Sequence, residues 1–284
     1  MAARIKVAIG GINGRLGRAY ARHLLSSDEY ELLGAFGREN ADYAGIDIGV
    51  LVGVAACGKK ISPSFDALLE SCKPDVILDN SIAQNSVAIA KAALKAGIRP
   101  VMGTSGIPDE DVKALTELAD KQKLGALVIP NFSIGAVLMM EFARQAGAFF
   151  EHVEIVEMHH TKKVDAPSGT AMHTVKKLGS TRAEFNAKEI DEHELLKGSR
   201  GAVGQSGVRV HSLRLPGLIS HQEVIFGAPG ELLTVRHDSF NMDCFLKGIS
   251  LSIAHVGTID HLVLGLDNVL GLGGQQKAPL AAAK

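Results

Sequence analysis

From Ile5 to Val128, short β-branched runs alternate with longer stretches whose apolar residues recur every three or four positions. A short apolar run bounded by turn residues suits a buried strand, and a 3.6-residue period suits a helix, so the alternation predicts βαβ units around a parallel sheet. Strands are expected at Ile5–Ile9, Leu32–Phe36, Val76–Asp79, Pro100–Met102 and Ala126–Ile129, with helices over about Arg15–Leu25, Phe65–Cys72, Asn85–Ala96 and Glu110–Lys123. Pro108 followed by Asp109, Glu110 and Asp111 is a strong helix start, because carboxylates there face the positive end of the helix dipole. The stretch Leu51–Ile61 breaks the alternation and reads as a loop with room for an edge strand.

The pattern changes after Asn131. Ile134–Phe150 reads as one long apolar helix, and Val153–Met158, Val208–Leu215, Glu223–Phe226 and Leu232–Val235 read as strands with few helices between them. Arg182–Arg200 is charged and poor in aliphatics, as in a solvated loop or surface helix. Phe245–Leu270 is apolar again and is expected to return to the first domain. The fold class is therefore α/β, with a doubly wound parallel sheet over residues 1–131 and a second α+β domain with a mixed or antiparallel sheet over residues 132–243. Residues 244–284 form the returning segment.

Composition narrows the function. The 284 residues suit about two domains at roughly 150 residues each. With 46% hydrophobic and 21% charged residues, disorder, collagen and coiled coil drop out. Thirty basic against 31 acidic side chains give a net charge of −1, without the positive surface a nucleic-acid binder needs. No Lys or Arg block suggests an anionic membrane, and MAARIKVAIGG has neither a signal peptide's apolar region nor a spanning length. Cys57, Cys72 and Cys244 match no disulfide framework and no zinc spacing, so a reducing cytoplasm and no bound metal are expected. A small-molecule or protein partner remains.

Gly11-Ile12-Asn13-Gly14-Arg15-Leu16-Gly17 follows a predicted strand and opens a predicted helix. In that context glycines let the backbone turn tightly and approach a pyrophosphate, whose charge rests on the helix N-terminus. The spacing is GxxGxxG, and the first domain reads as a Rossmann-like dinucleotide-binding fold. An acidic residue usually ends the second strand and binds the adenosine ribose, but here that strand runs into Gly37-Arg38-Glu39. Arg38 could pair with the 2′-phosphate of NADPH, which predicts a preference for NADPH over NADH. Alternatively, Arg38 is a surface residue and Glu39 binds the ribose.

The densest chemistry lies in the segment from Glu157 to Ala171, which includes His159, His160, Lys162, Lys163, Ser168, Gly169 and Thr170. Two imidazoles and two ammonium groups within five residues suit an anionic substrate that must also accept a proton. Backbone N–H groups of Gly169 and Thr170, at a helix start, would bind a carboxylate. A metal fits poorly: adjacent histidines on a strand face opposite ways, and the lysines would repel a divalent ion. A plain cationic surface loop is the other alternative.

The string from His159 to Thr170, HHTKKVDAPSGT, resembles the signature of the 4-hydroxy-tetrahydrodipicolinate reductase family, which acts in the diaminopimelate route to lysine. GINGRLG is similar to that family's first loop, Gly103-Thr104-Ser105-Gly106 to its loop beside the nicotinamide, and Pro130-Asn131-Phe132-Ser133-Ile134-Gly135 to its hinge into the second domain. The resemblance implies that reduced nicotinamide gives hydride to an unsaturated, dicarboxylated ring. His159 would be the general acid, assisted by Lys163, with the substrate held by His160, Gly169 and Thr170. Cofactor contacts would come from Gly11, Ile12, Asn13, Gly14, Arg15, Leu16, Arg38, Gly103, Thr104, Ser105, Pro130, Asn131, Phe132 and Ser133. The second domain would bind substrate and assemble a homotetramer.

One departure matters. Where the family reads His-Asp-Ser-aromatic-x-Arg, this chain has His237-Asp238-Ser239-Phe240-Asn241-Met242. Without that arginine, dianion binding should weaken by about 1.5–3 kcal/mol unless Arg236 or Lys247 compensates. Otherwise the substrate is a different acidic imine or ketone, or the chain binds NADP without catalysis.

Overall fold

The computed structural model describes residues 3–38, 40–187 and 190–272. They fall into two compact units: one runs to Ser133 and resumes over Phe245–Leu270, and the other covers Ile134–Cys244.

The first unit is built on strands β1 (Ile5–Gly10), β2 (Tyr30–Phe36), β3 (Ile61–Ser62), β4 (Val76–Asp79), β5 (Arg99–Met102), β6 (Ala126–Val128) and β12 (Leu262–Leu264). Their order is β12-β6-β5-β4-β1-β2-β3, and every pairing is parallel. The central strands are apolar because both sheet faces are covered; Val76–Asp79 is buried at every position. Helices α1 (Arg15–Leu25), α3 (Phe65–Ser71), α4 (Ala83–Lys95), α5 (Asp109–Gln122) and α8 (Leu246–Val256) supply the covering. Ala8, Phe36, Leu68, Ile77, Ala93 and Ile98 close one core cluster, and Leu94, Met102, Leu115 and Val128 belong to another. From β1 the chain builds outward to β2 and β3, then returns to β4 on β1's other side. That reversal makes a topological switch point, and ligands of such sheets bind outside the strand ends there. The ends in question are Gly10 and Asp79, which are register partners.

The loop expected over residues 51–61 runs from Gly53 to Lys59 and leads into the edge strand β3. A short helix, α2 (Ile48–Val52), precedes the edge strand. The Asp47 carboxylate caps it by accepting the Val50 N–H at 3.2 Å, and Gly53 ends it at φ 80°.

In the second unit, α6 (Ile134–Gly147), β7 (His152–His159) and α7 (Gly169–Gly179) are followed by β8 (Ala202–Val203), β9 (Arg209–Arg214), β10 (Ser220–Ala228) and β11 (Glu231–Ser239). The sheet order is β11-β10-β7-β9-β8, mixed because β7 and β9 run parallel while the other pairs are antiparallel. Val153, Ile155, Val210, Val224 and Phe226 pack against Ala143, Ala171, Val175 and Leu178. Helix α6 stops at Gly147, a weak helix former, short of Phe150. The β10–β11 hairpin outruns its apolar runs. A Pro229-Gly230 turn, with Gly230 at φ 86°, sets a register that carries the ladder out to Ser220 and Ser239. The described part of the 182–200 loop is mostly exposed, yet Phe185 is fully buried in this unit's core.

Candidate active site

At the end of β1 the chain passes through Gly11 at φ 70°, a left-handed conformation that suits glycine, and enters α1. Gly14 caps that helix without a side chain, and its first turn carries no acidic residue, so the dipole's positive end is uncompensated. A side chain at Gly17 would place its Cβ 2.9 Å from Ile12 Cα, so only glycine lets helix and loop approach this closely. Asn13, Gly14 and Arg15 are exposed, Leu16 is half-buried, and the Ile12 side chain is fully buried, with its N–H donating to the Phe36 carbonyl at 3.3 Å. Backbone amides around an uncompensated helix start are the donor set that a dinucleotide pyrophosphate requires, so these residues fit that group.

Arg38 is exposed at the end of β2. The Tyr43 hydroxyl accepts the Arg38 N–H at 3.3 Å, and its ring fills the space beside Gly37. A carboxylate at position 37 is thus sterically excluded. Glu39 lies outside the described residues.

Across the switch point, Asp79 is 1% exposed; its Oδ2 accepts the Ser81 hydroxyl at 2.7 Å, while Oδ1 has no hydrogen-bond partner. Burial pushes the Asp79 carboxyl above the usual carboxylate range, with Ser86 and then Ser81 only partly offsetting it. The next loop starts with the Gly103 N–H donating to the Asp79 carbonyl at 2.8 Å, and the Thr104 hydroxyl donates to the Ser81 carbonyl at 2.8 Å. A Cβ at Gly103 would come 2.7 Å from the Phe132 ring. Gly103, Thr104 and Phe132 are therefore brought together with the switch point. Ser105 and Pro130 are exposed, and the Asn131 carboxamide oxygen accepts the Ser133 N–H at 2.9 Å. Phe132 is buried, edge-on to Tyr20 with centroids 6.2 Å apart, and Ser133 is buried as well.

In the second unit, β7 alternates buried and half-buried residues, and the alternation puts Glu157 and His159 on the core side. Glu157 is fully buried. Its Oε2 accepts from His159 Nδ1 at 2.6 Å and Arg214 Nη1 at 3.0 Å. Its Oε1 accepts from Arg214 Nη2 at 2.8 Å and the Ser168 N–H at 3.2 Å. Ser168 caps α7, its hydroxyl accepting the Ala171 N–H at 3.1 Å, so Gly169 and Thr170 open a helix with no acid in its first turn. Lys163 Nζ is held by Asp165 at 2.7 and 2.8 Å. His160 leaves the strand and accepts the Lys163 N–H on its carbonyl at 3.1 Å. His159, Lys163, Gly169 and Thr170 thus belong to one cluster; His160, at the turn that follows, is half-buried.

Burial tends to raise the Glu157 carboxyl, but hydrogen bonds from Arg214, Ser212 and His159 hold it below its ordinary range. Burial lowers His159, Glu157 draws it up, and Lys163 and Arg214 push it down, leaving it below the usual imidazole value. An ionised Glu157 therefore holds a neutral His159 that carries its proton on Nδ1. Glu157 and Arg214 were not singled out from sequence; the signal available was a glutamate in phase with Val153 and Ile155 on the buried face.

Met242 begins a single 3₁₀ turn through Phe245. Arg236 pairs with Asp238 at 2.8 Å and with Glu223. Among the described residues, no three His, Cys, Asp or Glu are placed to hold a metal, and no helix is long and apolar enough to cross a membrane.

A glycine-loop nucleotide fold joined to a unit carrying an imidazole and an ammonium group is the build of a pyridine-nucleotide-dependent oxidoreductase. The chain belongs to the dihydrodipicolinate reductase family: that family's N-terminus matches residues 5–132 and its C-terminus matches residues 135–270. A 4-hydroxy-tetrahydrodipicolinate reductase of Synechococcus elongatus is 41% identical over 95% of this chain and 100% of its own length. One from Desulfitobacterium hafniense is 41% identical over 94% of this chain and 99% of its own. A dipicolinate-bound dihydrodipicolinate reductase from Paenisporosarcina superposes with a TM-score of 0.82 at 40% identity, covering 94% of this chain and 99% of that one. An amine dehydrogenase from Mycobacterium smegmatis, 14% identical with a TM-score of 0.67 and covering 93% of this chain and 96% of its own, shares the fold alone.

Proposed function

We propose that this chain reduces 4-hydroxy-tetrahydrodipicolinate to tetrahydrodipicolinate, preferring NADPH, with His159 as the proton donor. Bound NADPH supplies the hydride. The glycine loop makes room for its pyrophosphate and the amides that open α1 bind it, and Arg38 pairs with its 2′-phosphate, where Tyr43 keeps position 37 clear. The loop at Gly103–Ser105 and the segment Pro130–Ser133 carry the nicotinamide contacts.

The observation that carries the proposal is the Glu157–His159 pair beside Lys163 and the capped start of α7. One ring nitrogen of His159 is committed to Glu157, which leaves Nε2 to exchange a proton with the substrate. His159 is neutral at rest, so it acts as an acid only once charged. A dianionic ring nearby raises its proton affinity and thereby ties proton delivery to substrate binding. Gly169 and Thr170 N–H groups cradle one carboxylate, while Lys163 and His160 supply further contacts to the substrate. The family relative with bound dipicolinate supports a dicarboxylate ligand. The same reading takes the enzyme as a cytoplasmic homotetramer.

Turnover of the aldolase product with the purified chain, followed by loss of NADPH absorbance, tests this. Saturable oxidation of NADPH is expected. NADPH binding without oxidation would overturn the reading, and oxidation only with another acidic imine would favour the alternative that Met242 raises.

A further inference from the structure

We propose that Glu157 is the positioning residue of this site: it takes the Nδ1 proton of His159 and clamps both Arg214 and the Ser168 amide, so that one carboxylate fixes which imidazole nitrogen exchanges protons and locks that imidazole to the start of α7. The inference deepens the proposed function and rests on His159 being the proton donor.

A fully buried carboxylate is costly unless every lone pair finds a donor. Glu157 meets that demand with donors from three parts of the unit: His159 on β7, Arg214 and Ser212 on β9, and the Ser168 amide at the cap of α7. Arg214 is bound bidentately by Glu157 and also donates to the Leu213 carbonyl at 2.7 Å and the Asp165 carbonyl at 2.9 Å. Its guanidinium therefore braces the loop that carries Lys163 instead of reaching for a ligand. Glu157 and His159 sit on one rigid strand, so the ring cannot turn over without breaking a 2.6 Å charge-assisted bond. The charged groups facing His159 are Glu157 on its own strand, Lys163 and Asp165 on the following loop and Arg214 on β9. On β10 its register partner is the uncharged Ser220. Asp165 is occupied by Lys163, so Glu157 is the carboxylate that hydrogen-bonds His159 directly and lets it hold a proton beside two cations.

Glu157→Gln keeps the shape and removes the charge, while its NH₂ opposes a donor that the carboxylate accepted. With the aldolase product and NADPH, kcat should fall by about 10–100-fold, as for other residues that orient a functional histidine, and the KM for NADPH should stay within about twofold. In wild type, activity falls as rising pH deprotonates His159. In Glu157→Gln that alkaline limb should move to lower pH by about one unit or more. Nitrogen-15 NMR of histidine-labelled wild-type protein should show neutral His159 as the Nδ1–H tautomer. Retention of kcat with an unmoved limb, or an Nε2–H tautomer, overturns the proposal. Should the variant fail to fold, the wild-type tautomer decides alone. Absence of wild-type turnover would instead overturn the reading of His159, and the tautomer would still report on Glu157.

Discussion

The Tyr43 hydroxyl accepts the Arg38 backbone N–H at 3.3 Å and occupies the space beside Gly37 that an acidic side chain would need. The end of β2 therefore presents a guanidinium with no carboxylate at the preceding position. Arg38→Ala should raise the KM for NADPH at least about tenfold, equivalent to about 1.4 kcal/mol, and leave that for NADH nearly unchanged. Equal effects on both cofactors would remove Arg38 from 2′-phosphate recognition.

His159→Gln should lower kcat by about 10²–10⁴-fold, the usual share of a positioned acid. NADPH affinity, read by fluorescence titration, should not change, because the glycine loop belongs to the other unit. Normal turnover in this variant would exclude His159 as the donor.

Asp79 gives a stability prediction with a definite sign. Burial raises its carboxyl in the folded chain, so folding takes up a proton once the unfolded carboxyl ionises, at about pH 4. Its contribution is thus neutral at low pH and increasingly unfavourable as pH rises from there toward the folded value. Asp79→Asn should gain Tm relative to wild type as pH is raised from 4 to 7, measured by calorimetry across that range. A Tm difference independent of pH would show that Asp79 ionises as freely in the fold as in the unfolded chain.

Met242→Arg restores the side chain that the family pattern has here. If dianion binding is weakened by its loss, the variant should lower the KM for the dicarboxylate substrate by about 10–100-fold, as the roughly 1.5–3 kcal/mol of a charged hydrogen bond implies. An unchanged KM would mean that other groups already neutralise the second carboxylate.

Much of the first unit was legible because its elements are regular and their signals local. Helix α1 spans Arg15–Leu25 as its apolar spacing predicts, and β4 spans Val76–Asp79. Helix α2 was missed because its five residues are too few to show a period; the cues were the flanking Asp47 cap and Gly53. The extension of β10 and β11 was missed for a different reason. Its outer residues are polar, and they pair because the Pro229-Gly230 turn fixes the register, with His221 opposite Asp238 and their side chains 2.7 Å apart. Phe185 is an apolar anchor inside an otherwise charged loop, which average composition conceals. In the site, His159, Lys163, Gly169 and Thr170 could be read as one chemical segment. Arg214 could not, since it reaches Glu157 from 57 positions away through the parallel β7–β9 pairing, which no local pattern announces.

The pairing of Leu262–Leu264 with Ala126–Val128 has a consequence for biosynthesis. All five strands of the second unit's sheet are translated between those two strands. A nascent chain paused before Leu262 carries β6 as a bare parallel edge, which invites pairing with other chains, while the inserted unit already has all five of its strands and can close first. Ribosome stalling or premature termination beyond Cys244 should therefore release aggregation-prone chains whose inserted half is folded and whose nucleotide fold lacks its outermost strand.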